Sequence, residues 1–596
     1  MGERLSIALL ALAAACGIGA AALILGYGAH PALDLPWSVP GGRVAITADA
    51  VSAMFLAQIF VVAPLGAIYG TGYLPQTEHP GASRRLRFWY GWTTAGLATV
   101  VCARNAVLFL FGWEVMAIAA FFATTIDDED AKVREAGFVY LVATRIGTLC
   151  LIAFFSILCA STGSLDFAVP DGVKLGSGIG NVLFVLGVVG FGLKAGIMPL
   201  HVWLPGAHAN APSHVSALMS GVLIKMGIYG LLRMTALFPH PPLWWGGLLL
   251  GLGVISGVLG VAFAIGQHDV KRLLAYHSVE NIGIIVIGLG LAELGRALEL
   301  PGLVALGLGG ALLHVWNHGL FKALLFLGAG SVAHATGTRE IDRLGGLAKK
   351  MPYTALAFLL GAVAICGLPP LNGFVSEYLL YVAMFRATTV VPGGTWLGPA
   401  FCAPALALVG ALAVACFVKV FGAVFLGEPR TRATDHAHDP PPSMLVPMTL
   451  LAACCVTIGL APTLVVPALD MATGAWRTKP PGPGLTTERG SPPSLGRLGE
   501  ASVEAYAPLR WISAMGVVLL TLAVVLAWLL RRRAGRRDSA AVPTWDCGYA
   551  APTSSMQYTA SSFAAMLVEL FAWALRPRFH TPSLVAPFPG QASFHV

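Results

Sequence analysis

The chain has 596 residues, 56% of them hydrophobic and only 11% charged, with a mean hydropathy of +0.76, whereas soluble domains average about 25% charged. That composition excludes a soluble globular protein. The formal charge of +8 does not point to nucleic acid either, because Lys and Arg sit in short loops between apolar runs and form no stripe interleaved with aromatics.

Apolar runs long enough to cross a hydrocarbon core about 30 Å thick recur from end to end. They lie at roughly 4–26, 46–72, 86–103, 105–125, 133–160, 179–197, 213–236, 244–266, 272–293, 303–331, 353–385, 400–427, 444–468 and 509–531, which predicts an all-α polytopic membrane protein with about 14 transmembrane helices. The first run carries one Arg against one Glu before it and is followed by a dozen like it, so it reads as a first span rather than a signal peptide. With the N-terminus inside, the basic clusters at Arg84/Arg85/Arg87, Lys132/Arg134, Lys271/Arg272, Arg339/Arg343/Lys349/Lys350, Arg430/Arg432 and 531–537 all fall on one side, as the positive-inside rule requires. The external loop 469–508 is rich in Pro, Gly and Ser and reads as irregular.

Two spans carry breakers. The sixth runs into Met198-Pro199 and then Pro205, and the eleventh contains GLPPLNGF at 367–374. Proline removes a backbone donor, and broken helices at membrane depth are tolerated only where they face protein or water. Charges accompany both breaks: Lys194 lies five residues before Pro199 and Glu377 seven after Pro370.

Those two residues belong to a set of seven ionisable groups inside apolar runs. Glu114 sits in LFLFGWEVMAIAAFF, Lys194 closes a run of about a dozen apolar residues, and Lys225 lies in VSALMSGVLIKMGIYGLL. His314, His318 and Lys322 recur every four residues and so share one helix face. Each alone is compatible with packing or snorkelling. Seven on five spans, mixing carboxylates, amines and imidazoles, fit a proton relay, in which moving one proton displaces the next.

Other groups read less sharply. Asp435, His436, His438 and Asp439 offer metal-ligand types but sit in a short basic loop. His201, His208 and His214 flank the connection after the sixth span and either line an entry or cap backbone groups. Arg145, near mid-span in VATRIG, calls for a carboxylate partner that the sequence does not name. Ten cysteines show no CxxC or Cys/His metal spacing, and no nucleophile constellation occurs, so the chain is assigned no catalytic centre and no metal or cofactor of its own.

At these residues the sequence resembles the antiporter-like membrane subunits shared by respiratory complex I, multisubunit cation/proton antiporters and energy-converting membrane hydrogenases. The matching stretches are FGWE at 111–114, VATRIG at 142–147, 191–218 around FGLKAGIMPLHVWLPG, DVKRLLAYHSVENIGII at 269–285, HGLFKALLFLGAGSV at 318–332 and GLPPLNGFVSEYL at 367–379, in this order over about 100–430. YHSVENIGII and the tail WDCGYAAPTSSMQYTASSF at 545–563 are similar to the branch found in hydrogenase-4 and formate hydrogenlyase.

The resemblance implies two inverted five-helix repeats, each with one broken helix. It divides the chain into N-terminal helices at 1–103, antiporter-like halves at 104–266 and 267–430, C-terminal helices at 431–531 and a basic, amphipathic tail at 532–596. It implies roles as well: Glu114 with Lys194 as a coupling ion pair, Lys225 as central relay, His314, His318 and Lys322 as the link, and Glu377 as the terminal group. The implied setting is a multi-pass subunit of a bacterial or archaeal cytoplasmic membrane. Its partners would be lipid, other membrane subunits and peripheral hydrogenase-like subunits that hold iron–sulfur and nickel–iron centres. Against the family pattern, the N-terminus is one span short, and only an amphipathic stretch near 560–575 follows the last span. Two alternatives remain at this point: a complex I or antiporter subunit moving Na⁺ or K⁺, and a scaffold that anchors soluble redox subunits.

Overall fold

The computed structural model describes residues 2–167, 175–477, 502–534 and 557–577. Among these, twelve helices are long and apolar enough to cross a membrane. In chain order the helices are α1 (Gly2–Tyr27), α2 (Ala50–Tyr73), α3 (Pro80–Cys102), α4 (Ala106–Thr124), α5 (Ala131–Thr162), α6 (Ser177–Ala195), α7 (Leu204–Asn210), α8 (Ser213–Ala236), α9 (Leu243–Ile265) and α10 (Val270–Ala297). There follow α11 (Pro301–Thr336), α12 (Pro352–Ile365), α13 (Asn372–Val390), α14 (Leu397–Phe425), α15 (Pro442–Leu460), α16 (Val466–Arg477), α17 (Leu509–Ala534) and α18 (Ala560–Leu570). Every expected span meets a helix. Two of them fall outside the twelve: α3, whose first turns carry Arg84, Arg85 and Arg87, and the eleventh, which is split into α12 and α13.

Both breaks lie where the prolines place them. α6 stops at Ala195 because Gly196 takes φ +77 and turns its N–H back to the Gly192 carbonyl, an αL cap that Pro199 then prevents from re-entering the helix. α12 stops before Gly367, at φ +62, and the chain restarts as α13 only after Pro369 and Pro370.

Two elements depart from the sequence reading. A hairpin pairs Ala32–Pro36 with Arg43–Thr47 between α1 and α2, so the second span starts after the expected residue 46; Arg43 bridges Asp34 and Asp166 and ties the hairpin to the end of α5. The loop at 469–508 is not wholly irregular. It begins inside α16, whose Trp476 donates to the Leu232 carbonyl at 3.0 Å, while 478–501 lie outside the described residues.

Helices α8, α10 and α11 form the interior and are buried almost throughout, while α1 and α17 are largely exposed. Close approach of α9 to α10 depends on small residues: a Cβ on Gly283 would meet the Gly253 carbonyl and the Gly257 amide at 2.5 Å.

The tail folds back onto the basic side. Asp342 accepts hydrogen bonds from His268 Nδ1 (2.9 Å), the Ala560 amide (2.7 Å) and Ser561 Oγ (3.0 Å), so a loop carboxylate caps the N-terminus of α18. Gln557 meets the Glu428 backbone, and Arg430 donates to the Tyr558 carbonyl. Of the tail motif, 545–556 lie outside the described residues. Burial alone would raise the Asp342 carboxyl, but hydrogen bonds from His268 and Ser561, with the His268 charge, outweigh it and hold it at about 2. A lowered folded value stabilises docking above the ordinary carboxylate range and loses it as pH falls through about 2. Protection of the α18 amides from hydrogen exchange, relative to their intrinsic rates, should therefore persist as pH falls to 4, and Asp342→Ala should lower that protection.

Candidate functional site

A charge at the bilayer centre costs at least about 2.5–3.5 kcal/mol on insertion scales, so each buried ionisable group must find a partner. The first cluster lies between α4, α5 and α6. The Glu114 carboxylate is paired with the Arg145 guanidinium and accepts from Thr148 Oγ1 at 2.6 Å. Lys194, on the last turn of α6, is 3% exposed; its Nζ donates to Tyr140 Oη at 3.3 Å and lies 5.7 Å and 5.5 Å from the ring centroids of Trp113 and Tyr140.

This corrects the expected Glu114–Lys194 ion pair, which does not occur among the described residues. Arg145 and Thr148 stand about one turn apart on α5 and face Glu114 on α4, so they reach its carboxylate first. Lys194 stays within the electrostatic reach of both Glu114 and Arg145.

The second cluster occupies the interior helices. Lys225 is fully buried on α8, just after a π turn over Met219–Leu223 in which Ile224 N–H donates to the Met219 carbonyl five residues back. Its Nζ donates to the Ser220 carbonyl. π turns are uncommon and concentrate at functional positions.

On α11, His314 Nδ1 meets Ser376 Oγ at 2.9 Å and Nε2 meets Asn281 Oδ1 at 3.1 Å. Asn317 donates to Ser376 Oγ and to the Asn372 carbonyl, which fastens α11 to the start of α13 beside the break. The His318 ring stacks 6.4 Å from that of His314. His318 and Lys322 are fully buried, and no hydrogen bond reaches either imidazole nitrogen or the ammonium from the described residues. Lys225, Lys322, His314 and His208 all act electrostatically on His318.

Glu377 follows on α13, 8% exposed, with its carboxylate against the Gly367 turn; a Cβ on Gly367 would fall 2.5 Å from Oε2. The seven residues chosen from sequence thus divide into Glu114 and Lys194 around Arg145, and Lys225, His314, His318, Lys322 and Glu377 in the interior.

Glu280 escaped the sequence reading, and His208, expected at the connection after the sixth span, packs against the interior helices. Glu280 on α10 is 1% exposed, paired with His277 Nδ1, and acts electrostatically on both Lys322 and Glu377. Its signal was the i, i+3 imidazole and carboxylate inside YHSVENIGII. His208 stacks on Phe326 at 5.3 Å without a partner on either ring nitrogen, and so joins the interior set.

Near the other end of α8, Asp49 caps α2 and binds Arg233 at 2.6 Å, with Arg104 at 3.7 Å. This cluster is structural, since it ties the helix end to α8 and to the α3–α4 turn. Asp439 caps α12 through the Tyr353 and Thr354 amides, and no cluster of three or more His, Cys, Asp or Glu suited to a metal ion occurs among the described residues.

The family model described as NADH:quinone oxidoreductase/Mrp antiporter, TM, matches residues 103–392. The chain is 40% identical over 489 residues to formate hydrogenlyase subunit 3 of Escherichia coli strain K12, covering 81% of this chain and 74% of that protein. It is 37% identical over 512 residues to hydrogenase-4 component B of the same strain, covering 84% and 73%. A chain of the membrane-bound sulfane sulfur reductase, an archaeal respiratory membrane complex, aligns with a TM-score of 0.73 at 25% identity, over 96% of this chain and 91% of that one.

Proposed function

The chain belongs to the NADH:quinone oxidoreductase/Mrp antiporter family of membrane subunits, and on that premise we propose that it moves protons within a multisubunit energy-converting oxidoreductase of the membrane-hydrogenase or formate-hydrogenlyase kind. Redox chemistry, with iron–sulfur and nickel–iron centres, belongs in this reading to peripheral partners.

The observation that carries the proposal is the interior set of buried amines, imidazoles and carboxylates formed by Lys225, His314, His318, Lys322, Glu280 and Glu377. A buried polar group without a partner costs about 1–3 kcal/mol. A packed core has no use for the unpaired His318 and Lys322, whereas a file of water molecules between titratable groups would satisfy them. Segments 104–266 and 267–430 are read as two halves, each with one broken helix, and Glu377 as the group that hands the proton on.

Two substitutions test this at Glu377 and beside it. Glu377→Gln is nearly isosteric and removes only the titratable proton, so the assembled complex in proteoliposomes should turn over substrate while proton transfer falls at least tenfold. Gly367→Ala should do nearly as much harm without removing a titratable group, since the new methyl meets the Glu377 carboxylate and alanine is strained at φ +62. Wild-type proton transfer in Glu377→Gln, measured with an entrapped pH dye at matched redox turnover, would overturn the assignment.

A further inference from the structure

Arg145 stands at a place where a lipid-facing chain cannot put it. It is the fifteenth of the 32 residues of α5, about 21 Å along the helix from one end and about 26 Å from the other. The hydrocarbon half-thickness is about 15 Å, so the Cα lies near the middle of the bilayer and snorkelling does not bring the guanidinium to a headgroup. Yet the side chain is 41% exposed, and Glu114 beside it is 25% exposed. The outward surface around it is apolar: Phe138, Val142, Ile146, Leu149 and Ile152 of α5 are all exposed, so among the described residues the charge is ringed by lipid-type surface.

The guanidinium carries five N–H donors in a planar fork. Its one ion-pair partner among the described residues is the Glu114 carboxylate, whose other oxygen is taken by Thr148. Lys194 lies within electrostatic reach behind them, so two basic side chains share one carboxylate. An outward donor fork with surplus positive charge at membrane depth needs a partner that lipid cannot be, and a complementary charge on a neighbouring subunit, packed on the apolar surface around it, supplies one.

We propose that the α4–α5 face is covered in the assembled complex by a second polytopic membrane subunit, a different chain, which presents a carboxylate from one of its own transmembrane helices to Arg145. This rests on the function proposed above in taking the chain to be one subunit of a larger membrane complex. It adds which face is covered and what chemistry the partner brings.

The test uses a photo-crosslinking p-benzoylphenylalanine at Leu149 and, in a separate variant, at Ile146, in the intact complex irradiated in native membranes. Two positions guard against one variant failing to assemble. The expected result is a covalent adduct with another multi-pass subunit of the complex, mapping within one helical turn of a transmembrane Asp or Glu. Adducts with lipid alone, with a peripheral subunit or with a second copy of this chain would overturn the proposal. A transmembrane adduct with no acidic residue nearby would overturn its carboxylate. Proton transfer enters neither readout, so lipid-only adducts leave the proposed function standing, while a membrane-subunit adduct in a complex that moves no protons removes only that function.

Discussion

Arg145→Met should destabilise the protein more than Lys194→Met, although Lys194→Met should abolish proton transfer. Removing Arg145 leaves Glu114 with the Thr148 hydroxyl and the more distant Lys194. Breaking such a pair on one side at membrane depth leaves an unpaired carboxylate and costs on the order of 3 kcal/mol. Lys194→Met removes only a 3.3 Å hydrogen bond to Tyr140 and contacts with two rings that a thioether can also make. Stability should then change by less than about 1 kcal/mol or rise slightly.

Transport separates the variants in the other direction. If coupling depends on Glu114 passing between Arg145 and Lys194, Lys194→Met leaves the observed pair intact but removes the second station, and proton transfer falls at least tenfold. The double variant Arg145→Met, Glu114→Gln leaves neither member of the pair orphaned, with Lys194 the one charge remaining in the cluster, and should be more stable than additivity of the singles by about 1 kcal/mol or more. Thermal unfolding of the purified complex together with proton uptake in vesicles decides it. A larger loss of stability in Lys194→Met than in Arg145→Met would restore Glu114–Lys194 as the resting pair.

Lys225→Met should stop proton transfer, by at least tenfold at matched redox turnover, without harming the fold. The ammonium is fully buried and donates to the Ser220 carbonyl, so replacing it with an apolar side chain of similar length removes an expensive desolvated group. Function fails because Lys225 is the one lysine of the interior set in the segment read as the first half, 104–266, and it acts electrostatically on both His314 and His318.

Lys225→Arg is the sharper variant. It keeps the positive charge, but a guanidinium does not release its proton at any accessible pH. Equal inactivity of Lys225→Arg and Lys225→Met would show that titration matters rather than charge. Substantial transport in Lys225→Arg would assign Lys225 a static electrostatic role.

Much of this protein was legible from local chemistry. Span positions follow from apolar runs, since a bilayer admits only backbone that satisfies its own hydrogen bonds. The two breaks follow from Gly196 with Pro199 and Gly367 with Pro369 and Pro370, residues whose backbone preferences act within a few positions. The interior set was legible too, because a His or Lys inside an apolar run has so few tolerable explanations, and the i, i+4 spacing of His314, His318 and Lys322 already places them on one face.

What the sequence could not determine is which partners meet across helices. Arg145 demanded a carboxylate, but the choice of Glu114 depends on how α4 and α5 cross, and the same crossing leaves Lys194 to Tyr140. Glu280 was hidden in a recognised motif, and only packing of α10 against α11 and α13 brings it near both Lys322 and Glu377. The π turn before Lys225 leaves no mark in composition. Asp342 reads as one more loop acid until the tail folds back more than two hundred residues later and sets the first turn of α18 on its carboxylate. Burial in apolar runs is a property of single residues and survives in a one-dimensional pattern. Pairing is a property of helix crossings and exists only once the bundle has closed.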